Sequence, residues 1–329
     1  MSSQTPQSVI LQENANTLVD FCAGVRKGER VLLIFDNTTQ LIEPYLRAAA
    51  DAATDNVTVV HVDASAMHGV EPPLDVAAAM EAADVILGLT RSSLAHTEAR
   101  FNATNRGARY LSLPQYGIEQ LSRSSLGIDF VVAAEPGKRL KKMLDNAQHV
   151  VITTLLGTHL ELSAEGRTAN WAPGYCHEPG MLSSPPDIET NVAPVEHKSN
   201  GVIIVDGSIP CEVLGLLKEN VQVTVEGGYI TDISTNSEGV LLKNLIESKP
   251  DKKRKVLAEF GIGLNPEAQL CGLMLEDEGA LGTIHFGFGS NATIGGANKT
   301  DFHLDMIVRN PTVEIDGVRV MENGSLALS

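Results

Sequence analysis

Two histidines and a carboxylate lie close together in residues 283–309: His285, His303 and Asp305, in a run that is otherwise apolar and glycine-rich. Side chains alternate along an extended strand, so His303 and Asp305 project from one face and Leu304 and Met306 from the other. A rigid strand presents two metal donors in this way. The Gly295-Gly296 pair and Asn298 predict a turn that folds the segment back and brings His285 beside them. Two imidazoles and one carboxylate suit a mononuclear non-haem Fe(II) centre with open coordination positions. Two further carboxylates enlarge the set. Glu259 stands in an apolar, glycine-flanked strand, where an unpaired charge is costly. Glu189 lies between a proline-rich stretch and Asn191-Val192-Ala193-Pro194. Three carboxylates and two imidazoles are enough to hold a pair of divalent ions bridged by carboxylate and water. A lone His-x-Asp arises by chance, a single buried histidine is commonly a satisfied core residue, and Glu259 has an ion-pair alternative in Arg309. The weight rests on five donors in one region.

A water activated by such ions attacks a carbonyl only with a base and a proton donor at hand. Glu178, His177 and Glu196 are the candidates, the first two within Gly174–Gly180.

The elements that must position these groups fall into two regions. From Val9 to Val25 apolar residues recur at helical spacing, and the apolar runs Val31–Phe35, Val57–Val62 and Asp84–Leu89 alternate with helical segments through Ala53 and over Leu74–Ala82. Alternation of this kind predicts a parallel sheet covered on both faces. Neither GxGxxG nor GxxxxGK[ST] occurs, so a nucleotide role is unsupported. Residues 1–148 therefore read as an α/β scaffold and oligomerisation domain. Beyond a basic segment near residues 138–142 the texture changes to short strands separated by Gly, Pro and Asn turns, ending in a hairpin at Asp316-Gly317. Residues 149–329 read as a mixed α+β, strand-rich, metal-binding catalytic domain. The stretch from Asn170 to Pro194 reads as a long loop forming a binding wall.

Composition sets the outer limits. With 329 residues, 43% hydrophobic and 20% charged, the chain is of ordinary globular type and long enough for two domains. Forty-one acidic against 25 basic side chains give a net charge of -16, which argues against nucleic acid and anionic membrane as partners. Four cysteines without CxxC spacing point to free thiols in a reducing compartment. With no signal-like start and no long apolar run, a cytoplasmic location is expected.

The quoted segments resemble a known family. Glu189–Pro194, Ala258–Gly263, Ile284–Gly289 and Phe302–Asp305 are similar in order and kind to the M29 (aminopeptidase T-like) metallo-aminopeptidases. The resemblance implies a two-domain, dimeric enzyme in which Glu189, Glu259, His285, His303 and Asp305 hold two divalent ions, Zn, Co or Mn. Gly174–Gly180, Gly295-Gly296 and His303–Asp305 with Arg309-Asn310 also resemble the 2,5-dihydroxypyridine 5,6-dioxygenases, ring-opening iron enzymes of the same fold. In that group a histidine stands where this chain has Glu259, and no ligand stands at the position of His285. A tyrosine of the aminopeptidases falls here on Ala292. The expectation is a homo-oligomeric metallohydrolase, aminopeptidase- or amidase-like, cleaving the C–N bond of a small amide or peptide. The alternative is an Fe(II) dioxygenase opening a dihydroxypyridine-type ring.

Overall fold

The computed structural model describes residues 6–65 and 67–328. The chain divides into two compact units, residues 1–129 with 173–185, and residues 130–172 with 186–329.

The first unit is built on a five-stranded, all-parallel sheet in the order Asn56–His61, Arg30–Phe35, Val85–Leu89, Arg109–Ser112, Leu182–Ser183. Its central strands are apolar on both faces, as burial on both sides requires. Leu32, Ile34, Ile86 and Tyr110 share a core with Val76 and Met80 of the helix Leu74–Ala82 and with Ala99 and Ala103 of the helix Glu98–Asn105. Val31, Leu33 and Phe35, which alternate with them, are buried on the other face. The first helix, Pro6–Asn16, continues into a wider turn over Thr17–Cys22.

The second unit carries two larger sheets. One is an eight-stranded antiparallel sheet running in order from Tyr229–Ile233 through Val221–Glu226, Asn200–Val205, His159–Leu162, Val150–Thr153, Thr312–Ile315 and Val318–Glu322 to Ser325–Leu326. The Asp316-Gly317 hairpin is present, with φ of 47° and 79° at its two central residues, as a two-residue turn of this hand demands. The other sheet has five antiparallel strands in the order His303–Arg309, Thr283–Gly289, Leu257–Gly263, Glu189–Val192, Asn170–Ala172.

The sequence break drawn at 148/149 falls inside the second unit, after the helix Phe130–Leu144. That helix runs through Pro136 and lies on the back of the second sheet: Thr190 Oγ1 donates to Gly137 O (3.0 Å) and Trp171 Nε1 to Ala134 O (2.9 Å). A Cβ at Gly137 would sit 2.7 Å from Trp171 Cδ1, so glycine sets the closeness of helix and sheet. The stretch expected to be one long loop is not one. Asn170–Ala172 and Glu189–Val192 pair with each other, and the residues between them, 173–185, belong to the first unit and supply its edge strand.

Candidate metal centre

One face of the five-stranded sheet collects every donor singled out in the sequence. In an antiparallel pair, directly opposed residues share a face. Glu189 is opposed by Gly263, Glu259 by Gly287, His285 by Gly261, Asp305 by Gly287 and His303 by Gly289. Each donor is therefore set against a glycine, and at Gly261 and Gly287 the missing Cβ is what leaves room for His285, Glu259, His303 and Asp305. A Cβ at Gly261 would lie 2.1 Å from His285 Nε2, and one at Gly287 would lie 2.8 Å from His303 Cε1 and 2.9 Å from Asp305 Oδ1. The opposite face is apolar: Val192, Phe260, Ile262, Ile284, Phe286, Phe288, Met306 and Val308 are buried. The rings of Phe260 and Phe286 lie 5.8 Å apart across the two central strands.

The donors form two groups that share Glu259: Glu189, Glu259 and His285, and Glu259, His303 and Asp305. His285 Nε2 lies 3.0 Å from Glu189 Oε2 and 3.9 Å from Glu259 Oε1. His303 Nε2 lies 3.2 Å from both Glu259 Oε2 and Asp305 Oδ1. Four of the five donors are buried, and the His303 side chain is 34% exposed, which makes it the open edge of the cluster.

Charge crowding shows in the acidities. Burial favours neutral imidazole, but Glu189 and Glu259 outweigh it and hold His285 well above the ordinary histidine range; Asp305 and Glu259 do the same to His303. Burial favours protonated Glu259 and Asp305, yet the two imidazoles hold both carboxylates below their usual values. Two more buried carboxyls stand beside the five. Burial, reinforced by Glu189, pushes Asp187 up; burial with the charges of Asp305 and Glu189 pushes Glu278 well above the carboxylate range. Glu278, pushed toward its acid form, stands beside Asp305 and helps to hold that carboxylate low.

This donor set fits a divalent cation. Glu189 Oε2 is buried without a hydrogen-bond partner, although His285 Nε2 is 3.0 Å away. The two atoms stand at ion-pair distance, and two ligands about 2.1 Å from one ion at right angles also stand about 3.0 Å apart. The other oxygen of Glu189 accepts from Asn191 Nδ2 at 2.6 Å, and Asn191 Oδ1 accepts in turn from Asn170 Nδ2 at 2.9 Å. His303 Nδ1 donates to Ser290 O at 2.8 Å, a bond that would leave Nε2 as the lone-pair nitrogen in the neutral imidazole that a metal requires.

Of the three residues considered for proton transfer, two belong to the first unit and one to the second. His177 belongs to the first unit, where Nε2 donates to Phe21 O (2.7 Å) and the ring packs against Tyr175. Glu178, in the same segment, is exposed. Glu196 is in the second unit, ion-paired with Arg167. Sequence reading did not single out Asp187, Asn191, Ser290 or Glu278. The spacing of Asp187 two residues before Glu189 was the one local signal for a shared face.

Fold and cluster together define a two-unit scaffold with a buried imidazole–carboxylate face suited to divalent metal. AmpT from Thermus thermophilus has a similar fold, with a TM-score of 0.68 at 15% identity over 97% of this chain and 99% of that one. The chain belongs to the 2,5-dihydroxypyridine 5,6-dioxygenase (NicX) family, whose family model matches residues 16–328. A 2,5-dihydroxypyridine 5,6-dioxygenase of Pseudomonas putida is 26% identical over 234 residues, 63% of this chain and 67% of the relative. The solved 2,5-dihydroxypyridine dioxygenase of Pseudomonas putida matches 99% of both chains with a TM-score of 0.81 at 21% identity.

These findings overturn the hydrolytic expectation. Family membership stands against a metallohydrolase of aminopeptidase or amidase type, and against an amide or peptide as its substrate. The physical reason is that carboxylate and imidazole donors hold ions for hydrolysis and for oxygen chemistry alike, so counting donors does not choose the reaction. Among the described residues no helix is long and apolar enough to cross a membrane.

Proposed function

We propose that this chain is a metal-dependent ring-cleaving dioxygenase acting on a dihydroxylated pyridine or a closely similar electron-rich N-heterocycle. The observation that carries this reading is the family match across residues 16–328. Glu259, His303 and Asp305 are the residues we assign to hold Fe(II), with Glu189 and His285 completing a second position that shares Glu259. A carboxylate at 259 departs from the histidine that the resemblance implied, and the three-donor group keeps one imidazole and two carboxylates, a set that suits borderline divalent ions. When bound, a redox-active ion supplies the one-electron chemistry through which dioxygen reacts with an electron-rich ring.

The chain's own residues do the rest. Glu259 and Asp305 place two buried negative charges behind the ion, on a rigid sheet whose other face is core. The Ser290 carbonyl holds the proton on His303 Nδ1 and so keeps Nε2 as donor. The half-exposed edge of His303 is the side from which a planar substrate approaches, while the buried face excludes water from the carboxylates.

The test is oxygen uptake. Protein loaded anaerobically with Fe(II) and mixed with aerated 2,5-dihydroxypyridine is expected to consume dioxygen, bleach the ring absorbance and place both atoms of ¹⁸O₂ in the product. His303→Ala is expected to remove iron binding and turnover while leaving the far-UV circular dichroism unchanged. No oxygen uptake by iron-loaded protein across a panel of dihydroxypyridines would overturn the reading.

A further inference from the structure

The connection between the edge strand His303–Arg309 of the donor sheet and its neighbour Thr283–Gly289, residues 290–302, contributes no donor, yet it carries the carbonyl on which His303 depends. Ser290 O accepts from His303 Nδ1 at 2.8 Å, and Ser290 N donates to Phe302 O at 2.7 Å. Asn291 closes the connection on itself: its N donates to Asn298 O (3.0 Å), its Oδ1 accepts from Asn298 N (2.8 Å), and its O accepts from Gly296 N (2.8 Å). No side chain fits at Gly296, where a Cβ would lie 1.9 Å from Asn291 Cγ.

This closed loop is gripped from outside by one ion pair. Glu196 Oε1 accepts from Asn291 Nδ2 (3.1 Å) and from the Ala297 N–H (2.7 Å). Glu196 Oε2 accepts from Arg167 Nη2 (2.5 Å), and Arg167 Nη1 donates to Gly295 O (2.7 Å). The two side chains are only 20% and 16% exposed, so this is not a solvated surface pair. Burial works against a charged Glu196, but the Ala297 N–H, Asn291 and Arg167 outweigh it and keep the carboxyl ionised. With both oxygens committed, Glu196 is not a free base.

We propose that Glu196, together with Arg167, is a positioning residue for the metal centre: by fixing Asn291 and Ala297 it holds the Ser290 carbonyl on His303 Nδ1 and aims His303 Nε2 at Glu259 and Asp305. The inference rests on the reading that this cluster holds a divalent ion. It explains why a glutamate outside the donor sheet is so fully engaged by a loop that has no catalytic side chain of its own.

The experiment titrates metal-depleted full-length protein with Mn(II) and reads free Mn(II) by electron paramagnetic resonance, with circular dichroism and thermal unfolding of each apo variant alongside. Glu196→Ala is expected to weaken Mn(II) binding by about 10-fold or more, the usual cost of losing a partner that orients a ligand. Glu196→Gln keeps an oxygen for the loop amides, and its loss is expected to stay within about threefold, since only the charge on that hydrogen-bond acceptor is removed. Glu165→Ala, which removes the exposed pair with Lys198, is expected to leave binding unchanged. A purely structural role would lower the melting temperature of Glu196→Ala without moving the Mn(II) dissociation constant, and that result overturns the proposal. Should Glu196→Ala not fold, Glu196→Asp, one methylene shorter, is held to the same criterion. A parent protein that binds no Mn(II) overturns the metal reading and this inference with it; a parent that binds while the variants bind equally well overturns the inference alone.

Discussion

Gly261→Ala tests the idea that the donor sheet is built around missing side chains. The substitution alters none of the five donors, and Gly261 is not in the left-handed backbone region, so the change is steric only. The new Cβ would meet His285 Cε1 and Nε2 at 2.1 Å. Ordinary carbon contacts are about 3.5 Å or more, so the ring must move by roughly 1.5 Å. His285 is 1% exposed, and a move of that size takes Nε2 out of the group it forms with Glu189 and Glu259. Overpacking of this kind costs about 1–3 kcal/mol, a drop of several degrees in melting temperature for a unit of this size. Metal binding should suffer more than stability, because ligand distances tolerate only about 0.2 Å. Mn(II) titration and thermal unfolding of the apo protein read the two effects separately. Gly127→Ala, whose Cβ would have Ser124 O at 3.4 Å as its nearest neighbour, is the matched control and is expected to be neutral in both. A Gly261→Ala protein with the parent's melting temperature and the parent's Mn(II) affinity would refute the reasoning.

Two further outcomes follow from groups away from the donor sheet. Burial pushes the Cys176 thiol up to about 12 and Cys22 well above its ordinary value, whereas Cys211 and Cys271 are half-buried. A thiol reagent at pH 8 should therefore label no more than two sites rapidly in native protein and all four after unfolding, and fast native labelling of Cys22 or Cys176 would count against their burial. The second concerns Asp84, which accepts from Arg30 N, Nε and Nη2 at 2.8, 3.1 and 2.7 Å and is held below the usual carboxylate range chiefly by that side chain. Because the folded pKa lies below the unfolded one, its contribution is present above the unfolded value of about 3.9 and is lost as pH falls through the folded value. Asp84→Asn should lower the melting temperature near neutrality and converge on the parent in acid, and a deficit that instead grows as pH falls would contradict the sign.

What the sequence disclosed and what it concealed divide along the range of the interactions. Strand alternation placed His303 and Asp305 on one face, and the glycine turn returned the chain so that Gly289 opposes His303 and Gly287 opposes Asp305. Both are local rules. The apolar runs of the first unit were legible because a parallel sheet buried on both faces needs them. The excursion over 173–185 was not legible, because Pro and Gly are equally common in loops and in a segment that crosses to another sheet and adds the short strand Leu182–Ser183. Pro136 lies inside a helix that runs on through it, with Ala134 and Gly137 tied to Trp171 and Thr190. Glu278 was not legible, because with Glu276 and Asp277 it makes an acidic run of the kind common on solvated surfaces, whereas all three are engaged inside the fold. The reaction class was the least legible of all, because the donors do not encode it.

The same crowding that marks the site also ties its occupancy to the stability of the second unit. Asp187, Glu189, Glu259, Glu278 and Asp305 crowd one neighbourhood with His285 and His303, and without an ion protons relieve the crowding: Asp187 and Glu278 are pushed toward the acid form and both imidazoles toward the charged form. Such a cluster is retained against the cost of burying carboxylates only if something relieves it. On the proposed reading, Glu189, Glu259, His285, His303 and Asp305 would hold a divalent ion whose positive charge takes the place of those protons. Ligand that binds only the folded chain stabilises it by about 2.7 kcal/mol at one hundred times its dissociation constant, a large part of the margin of an ordinary domain. On the proposed reading the donor face would be a folding element as much as a chemical one, with Gly261 and Gly287 serving both ends by leaving the donors room to approach one another.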